Sequence, residues 1–266
     1  MKIVFHILAL CSGGYLLILA IFFFFQEKFL FFPSNAAFGN CPQIEQYRAT
    51  PIQFDDLRYY LQQKESANCW IIVFHGNAGD ACDRVYFFDL LKDLNANMIL
   101  FEYPGYGKDK NRPGEKIFLK QALKLTQRIK MQNPDNLPIY LLGESLGTGV
   151  ATWVAGQTEI EGLILLSAYT SIAATARHHY PWLPVDRLLK NRFTADNWAK
   201  AVHAPVLLFH GVDDDIIPVE FSRKQLLNFK GDKELIEIDD CGHNDLIFVG
   251  ESKIQTATSQ FILMKP

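Results

Sequence analysis

Gly143-Glu144-Ser145-Leu146-Gly147 is the segment whose residue types point most directly to chemistry. A serine between two glycines at a sharp strand-to-helix turn has its hydroxyl exposed at the apex, with no neighbouring side chain to crowd it. A serine hydroxyl is a weak nucleophile at neutral pH. It needs a base to take its proton and an acid to orient that base. On such a scaffold the partners are expected on later loops, acid first and histidine second. Two loops fit that order. His210-Gly211-Val212-Asp213-Asp214-Asp215-Ile216-Ile217-Pro218 follows one apolar run, and Asp239-Asp240-Cys241-Gly242-His243-Asn244-Asp245 follows another. His243 is the base candidate. Asp213, Asp214 and Asp215 compete for the acid role, and spacing alone leaves them nearly equal. Turn formation and helix N-terminal charge account for at least two of them.

An oxyanion formed at Ser145 would need two backbone N–H donors. Leu146, directly after the serine and at a helix N-terminus, supplies one. The other is expected from the loop His75-Gly76-Asn77-Ala78-Gly79, whose glycines allow backbone to approach a substrate; Asn77 is the donor chosen. His75 and His210 each precede a glycine at a strand end and read as satisfied structural histidines. Glu144 reads as structural or as pocket electrostatics. Tyr103 and Tyr106 read as packing around a Pro-Gly turn, and His178 and His179 as cap surface or pocket lining.

These residues require elements to hold them. Leu137 to Leu142 reads as a buried strand ahead of the serine, and 148–155 as the helix behind it. Continuous apolar runs at 69–74, 98–103, 162–167 and 205–210 read as strands buried on both faces. Helical spacing covers 115–132, with further helices expected near 81–94, 218–229 and 244–263, and a last strand at 234–239. Residues 44–54 and 57–62 read as an opening antiparallel hairpin. The stretch 168–200, rich in His, Tyr, Trp and Pro, is too long for a simple connection and reads as an inserted cap. Strands alternating with helices imply an α/β fold with a mainly parallel sheet wrapped on both faces, the catalytic loops lying at the C-terminal ends of the strands.

The chain has 266 residues and a net charge of −3 with no basic block, which argues against nucleic acid as a partner. Ile3 to Phe25 is an apolar run broken only by His6, Ser12 and small residues, and it is long enough to cross a bilayer, which needs about 20 residues. It is longer than the core of a cleaved signal peptide, and no small-residue cleavage site follows Ala20. Leu10 is too bulky for the lipoprotein box that Cys11 suggests. A buried soluble helix is disfavoured because every face is apolar. The organisation expected is a membrane anchor at 1–27, a juxtamembrane linker at 28–44 and a catalytic domain at 45–266. Lys2 and the terminal amine favour a cytoplasmic N-terminus, with the domain on the outer or lumenal side. Outside the anchor, Cys41, Cys69, Cys82 and Cys241 permit disulfides without specifying their pairing. No Cys/His spacing suggests a metal.

Taken together, Phe74-His75-Gly76-Asn77-Ala78-Gly79, Tyr103-Pro104-Gly105-Tyr106-Gly107, Arg112-Pro113-Gly114-Glu115, the Ser145 elbow, His210-Gly211 through Pro218, and Gly242-His243-Asn244-Asp245 resemble the serine α/β-hydrolases, in their membrane-anchored, Bem-like branch. The resemblance runs from about residue 45 to the C-terminus. It implies an α/β-hydrolase fold with a small cap, and it implies Asp214 as the acid, four residues after the histidine of the His-Gly turn and four before the proline. Lys108-Asp109-Lys110 departs from the pattern, which usually has a small serine there. The activity implied is that of an esterase, thioesterase or lipase acting on an acyl substrate, with no cofactor or metal. A serine peptidase of the same fold and a non-catalytic membrane scaffold are the alternatives.

Overall fold

The computed structural model describes residues 1–263. The chain opens with helix α1, Lys2–Leu30, which runs past the expected end at residue 27. Its most apolar stretch is buried nowhere in the protein. The short strand β1, Phe32–Pro33, follows, then a 3₁₀ turn at Pro42–Tyr47. Strands β2, Thr50–Phe54, and β3, Leu57–Gln62, form an antiparallel hairpin. The hairpin is shorter than expected, because Pro42 starts the 3₁₀ turn and Arg48 ends it in the left-handed region, at φ 52°.

Next come β4, Cys69–Phe74, β5, Ala78–Gly79, a 3₁₀ turn at Cys82–Arg84, and α2, Tyr86–Leu90. The single helix expected at 81–94 is thus two short pieces. Asp80 accepts from the N–H groups of Cys82 and Asp83 and starts the first piece as a tight turn. Then follow β6, Ala96–Glu102, α3, Glu115–Met131, β7, Ile139–Glu144, and α4, Leu146–Ala155. After β8, Gly162–Leu166, the cap segment carries α5, Ile172–His179, α6, Val185–Leu188, and α7, Ala195–Ala199. The chain closes with β9, Val206–Gly211, α8, Val219–Leu226, β10, Lys233–Ile238, α9, Leu246–Val249, and α10, Glu251–Leu263. The helix expected at 244–263 starts later and breaks at Gly250. There an added Cβ would lie 2.4 Å from Ile238 Cδ1 and 2.6 Å from the Leu246 carbonyl oxygen, so a side chain at that point would force its neighbours to shift.

Eight strands form one sheet in the order β10-β9-β8-β7-β4-β6-β3-β2. β10 through β6 run parallel, β3 runs antiparallel to β6, and β2 turns back antiparallel to β3. Apolar alternation explains the two helical layers. Trp70, Ile72 and Phe74 of β4 face the cluster with α3 and α4, while Cys69, Ile71 and Val73 face the one with α2 and α10. Burying each large side chain of this kind is worth about 1.5–3 kcal/mol, so the central strands are the most firmly held part of the molecule. The chain leaves β4 toward β6 on one side and returns to β7 on the other. The C-terminal ends of β4 and β7 therefore flank the crevice where the strand order reverses, the place where ligands bind in open α/β sheets.

Two ties outside the sheet bear on the site. β1 pairs in parallel with β5, with Phe32 N–H donating to Asn77 O and Ser34 N–H to Gly79 O, both at 3.0 Å. Cys41 and Cys82 form a disulfide, which resolves the pairing left open by the sequence, and Cys69 and Cys241 are buried free thiols.

Candidate active site

Ser145 lies at the junction of β7 and α4 with φ 50° and ψ −116°, a conformation that costs a non-glycine residue of order 1–3 kcal/mol. Packing holds it there. An added Cβ on Gly147 would lie 2.0 Å from the Phe74 carbonyl oxygen, and one on Gly143 would lie 2.6 Å from the Gly147 oxygen and the Thr148 Cα. Both glycines are required because α4 crosses the ends of β7 and β4 with its backbone in contact. Thr148 N–H and Oγ1–H both donate to Ser145 O, at 2.9 and 2.7 Å, and fasten the turn from the helix side.

His243 and Asp214 meet Ser145 in front of this turn. Ser145 Oγ–H lies 3.0 Å from His243 Nε2, and His243 Nδ1 lies 2.7 Å from Asp214 Oδ2. The carboxylate accepts from Nδ1–H, which leaves Nε2 free to accept the serine proton. Asp214 is buried, and burial opposes its ionisation. The hydrogen bonds from His210 and His243 and from the Ile217 N–H outweigh that and hold the carboxyl well below the usual carboxylate range. His210 Nε2 lies 2.7 Å from Ile217 O and 3.2 Å from Asp214 Oδ2. It faces two acceptors and so carries a proton. Of the three aspartates, Asp214 is the one whose carboxylate reaches His243. Among the described residues, Asp213 and Asp215 show no side-chain bond to it.

Asn77 and Leu146 line the same cavity as Ser145 and His243. Among the described residues, the backbone N–H groups of Asn77 and Leu146 donate no hydrogen bond. The Asn77 loop is braced from behind. Tyr106 O–H donates to Asn77 O at 2.6 Å, Tyr103 O–H to His75 O at 3.0 Å, and the Asn77 side-chain amide to Leu30 O at 3.0 Å. From the sequence, packing is the role expected of both tyrosines. Their aromatic stacking with Phe118 is real, but their hydroxyls also fix two consecutive parts of this loop.

His75 itself is fully buried. Its Nδ1–H donates to Gly76 O at 2.7 Å, so Nε2 is an acceptor. Burial, then the Arg84 charge, pushes its pKa down to about 3. Nε2 faces Glu102 Oε1 at 3.7 Å, and neither atom has a hydrogen-bond partner among the described residues. Burial, with the nearby Asp80 charge, pushes Glu102 up to about 8. At neutral pH the two are a neutral acid facing a neutral imidazole rather than an ion pair. Glu102 was not singled out from the sequence; an acidic residue at the end of an otherwise apolar strand, directly before the Tyr-Pro-Gly turn, was the available signal.

The cavity has a volume of about 600 Å³ and two unlike linings. In one, Glu144 Oε2 accepts from Arg84 Nε at 2.7 Å and from Tyr86 O–H at 3.0 Å. Elsewhere Leu30, Phe32, Ile172, Tyr180 and Ile216 form an apolar wall, while Phe248 packs against Tyr86. His179, from the cap, lines the cavity, and its Nε2 lies 2.8 Å from Ile216 O, while His178 packs against Phe221. The Lys108-Asp109-Lys110 departure is accommodated locally. Asp109 accepts from the Gly105 N–H and lies 3.4 Å from Arg58, away from Ser145.

An esterase of Pyrococcus furiosus superimposes with a TM-score of 0.69 at 18% identity, over 87% of this chain and 98% of that one. The chain has the α/β-hydrolase fold. A monoacylglycerol lipase of Paleococcus ferrophilus shares the fold with a TM-score of 0.60 at 22% identity, over 79% of this chain and all of its own. A family profile described as serine aminopeptidase, S33, matches residues 65–195. In sequence, an uncharacterized protein of Mycobacterium tuberculosis is 36% identical over 176 residues, covering 66% of this chain and 63% of its own. A lysophosphatidylserine lipase of Danio rerio is 32% identical over 192 residues, covering 65% of this chain and 50% of that protein. The chain thus spans about half to under two thirds of the length of these relatives. On the hydrolase fold, the Ser145 elbow occupies the strand-to-helix turn where that fold carries its nucleophile.

Proposed function

We propose that this protein is a membrane-anchored serine hydrolase that cleaves a carboxylic ester or thioester. The observation that carries the reading is the hydrogen-bonded chain from Ser145 Oγ through His243 to the buried Asp214, opening on a cavity with an apolar wall. Ser145 attacks the acyl carbonyl as His243 Nε2 takes its proton. Asp214, ionised across the physiological range, orients the ring and stabilises the imidazolium that forms. The oxyanion is held by the backbone N–H groups of Asn77 and Leu146. His243 returns the proton to the leaving group, and water then hydrolyses the acyl-enzyme in a second passage through the same groups. The domain from about residue 45 carries this chemistry. Residues 1–27 anchor it with the N-terminus cytoplasmic and the domain on the outer or lumenal side.

The likeness to a lysophosphatidylserine lipase supports a lipid-like acyl substrate. The serine aminopeptidase profile favours, as a second reading, a peptidase on the same site. A fluorophosphonate probe on the full chain tests the common step: it labels the wild type and leaves Ser145→Ala unlabelled. Failure to label under conditions where a control serine hydrolase reacts would overturn the enzymatic reading. Turnover of p-nitrophenyl esters of increasing chain length beside an aminoacyl amide separates the two substrates. Rates that rise with chain length support the lipase-like reading, and faster turnover of the amide supports the peptidase.

A further inference from the structure

The cap does not stand free of the anchor. Tyr15 O–H of α1 donates to the Trp182 carbonyl at 3.0 Å, and the two rings lie 6.4 Å apart. Phe22 packs against Tyr180 at 6.2 Å. Gln26, the one buried residue of α1, makes two bonds to the cap: its amide donates to Leu188 O at 3.1 Å and its Oε1 accepts from Lys190 N–H at 2.7 Å. The Lys190 ammonium sits 4.5 Å from the Phe23 ring. The cap is therefore fastened along roughly 16 Å of the helix, from residue 15 to residue 26 at 1.5 Å per residue.

That reach sets a depth. A bilayer's hydrocarbon core is about 30 Å thick, or about 20 helical residues. With Lys2 at one surface, the other falls near Phe22. The Tyr15 contact then lies about 10 Å inside that surface. Tilting the helix moves the surface further along α1 and sinks the cap deeper. Of the residues that line the cavity, Phe32, Tyr180 and Ile216 are all 41% exposed or more, and Trp182, next to Tyr180 in the cap, is exposed as well. Phe32 follows directly on α1, so this apolar rim is continuous with the anchor.

We propose that the tip of the cap, Tyr180 to Leu183, is inserted in the leaflet beside α1. The cavity then opens sideways into the acyl-chain region, and its substrate is an acyl ester resident in that leaflet, reaching Ser145 tail-first along α1 without passing through water. This rests on the serine hydrolase reading for its chemistry, but not for the insertion. The occupant of the apolar rim is lipid because Phe32, at its edge, continues from α1, a helix long and apolar enough to lie in lipid. Trp182, with an exposed ring and a backbone tied to α1, presents that ring to the acyl chains beneath the bilayer surface.

The test uses the full chain reconstituted in phosphatidylcholine vesicles. Of the protein's four tryptophans, Trp182 is the one that is exposed. Vesicles with brominated acyl chains are expected to quench its fluorescence, and Trp182→Phe is expected to remove most of that quenching. Unchanged quenching in Trp182→Phe, or none in the wild type, overturns the insertion. In parallel, hydrolysis of monooleoylglycerol in the vesicles is compared with that of p-nitrophenyl acetate in water. For Trp182→Glu the ratio of the two rates is expected to fall on the order of tenfold, because a carboxylate resists the leaflet. An unchanged ratio overturns the lateral route. Were the wild type to hydrolyse neither ester, the hydrolase reading would fall while the quenching still decided the insertion.

Discussion

The carboxyl ends of β4 and β9 carry the same dipeptide, His75-Gly76 and His210-Gly211, and use it in opposite ways. At β9 the histidine backs an ionised acid. Asp214 collects hydrogen bonds from His243 and from the N–H groups of Ile216 and Ile217, and it has His210 within 3.2 Å. At β4 the histidine backs an acid that stays neutral. Glu102 draws weaker help from the Ala81 N–H, at 3.4 Å from its Oε2, and from the Tyr103 backbone, and among the described residues nothing bonds the oxygen that faces His75. Both carboxyls are buried. The number of donors aimed at each decides which one ionises, and a buried carboxylate needs several. The glycines differ too. An added Cβ at Gly211 would meet the Cys241 carbonyl oxygen at 2.3 Å, whereas at Gly76 the nearest atoms are at 3.4–3.5 Å, ordinary contacts. The β9 end is locked backbone to backbone, and the β4 end is braced by side chains.

The sharpest break in this comparison is at the two acids. Asp214→Asn should lower kcat on a p-nitrophenyl ester by about 10⁴-fold, while Glu102→Gln, replacing an acid that is already neutral, should stay within several-fold of the wild type. Equal losses would dissolve the distinction. Next in size are the glycines. Gly211→Ala should cost about 1–3 kcal/mol, seen as a lower melting temperature, and should reduce activity as the Cys241–His243 loop shifts. Gly76→Ala should leave stability within about 0.5 kcal/mol.

A smaller effect separates the acids by pH. Glu102 has a native pKa of about 8 against an ordinary 4.5, so the unfolded chain loses this proton first. Its contribution to stability is full below the ordinary value and declines as pH rises through that window. Asp214 has the opposite sign: its contribution is full above pH 3.8 and is lost on acidification below it. Urea midpoints against pH should therefore flatten on the alkaline side for Glu102→Gln and on the acid side for Asp214→Asn. The smallest effect expected is for Tyr106→Phe, which removes one bond to the Asn77 carbonyl. A loss of about 1 kcal/mol in transition-state stabilisation, or roughly fivefold in kcat, should appear without a change in fold.

The strands were legible in the sequence because burial on both faces leaves runs such as Cys69–Phe74 with no polar residue. The elbow was legible because close backbone crossing at Gly143 and Gly147 admits no side chain. The break in the 81–94 helix was not, since its apolar residues keep a helical period while Asp80 forces a turn at its start. Nor were the roles of Tyr103, Tyr106 and Glu102: a hydroxyl or carboxyl on a packed strand end gives no sign of which backbone atom it will meet. Sequence distance hid the rest. The disulfide joins residues 41 apart, and Tyr15 meets Trp182 across 167 positions. No local pattern announces contacts of that range.

The short pairing of β1 with β5 changes what it means to separate the domain from its helix. A protein shortened to begin after Pro33 would not be the same domain without its leash. It would lose the strand that lies along Ala78–Gly79 and the Leu30 carbonyl that takes the Asn77 amide. Slow turnover in a soluble, trimmed form would then report a slack loop as much as a missing bilayer. The exit from α1 works as a splint, and any cut meant to free the domain should fall well before Leu30.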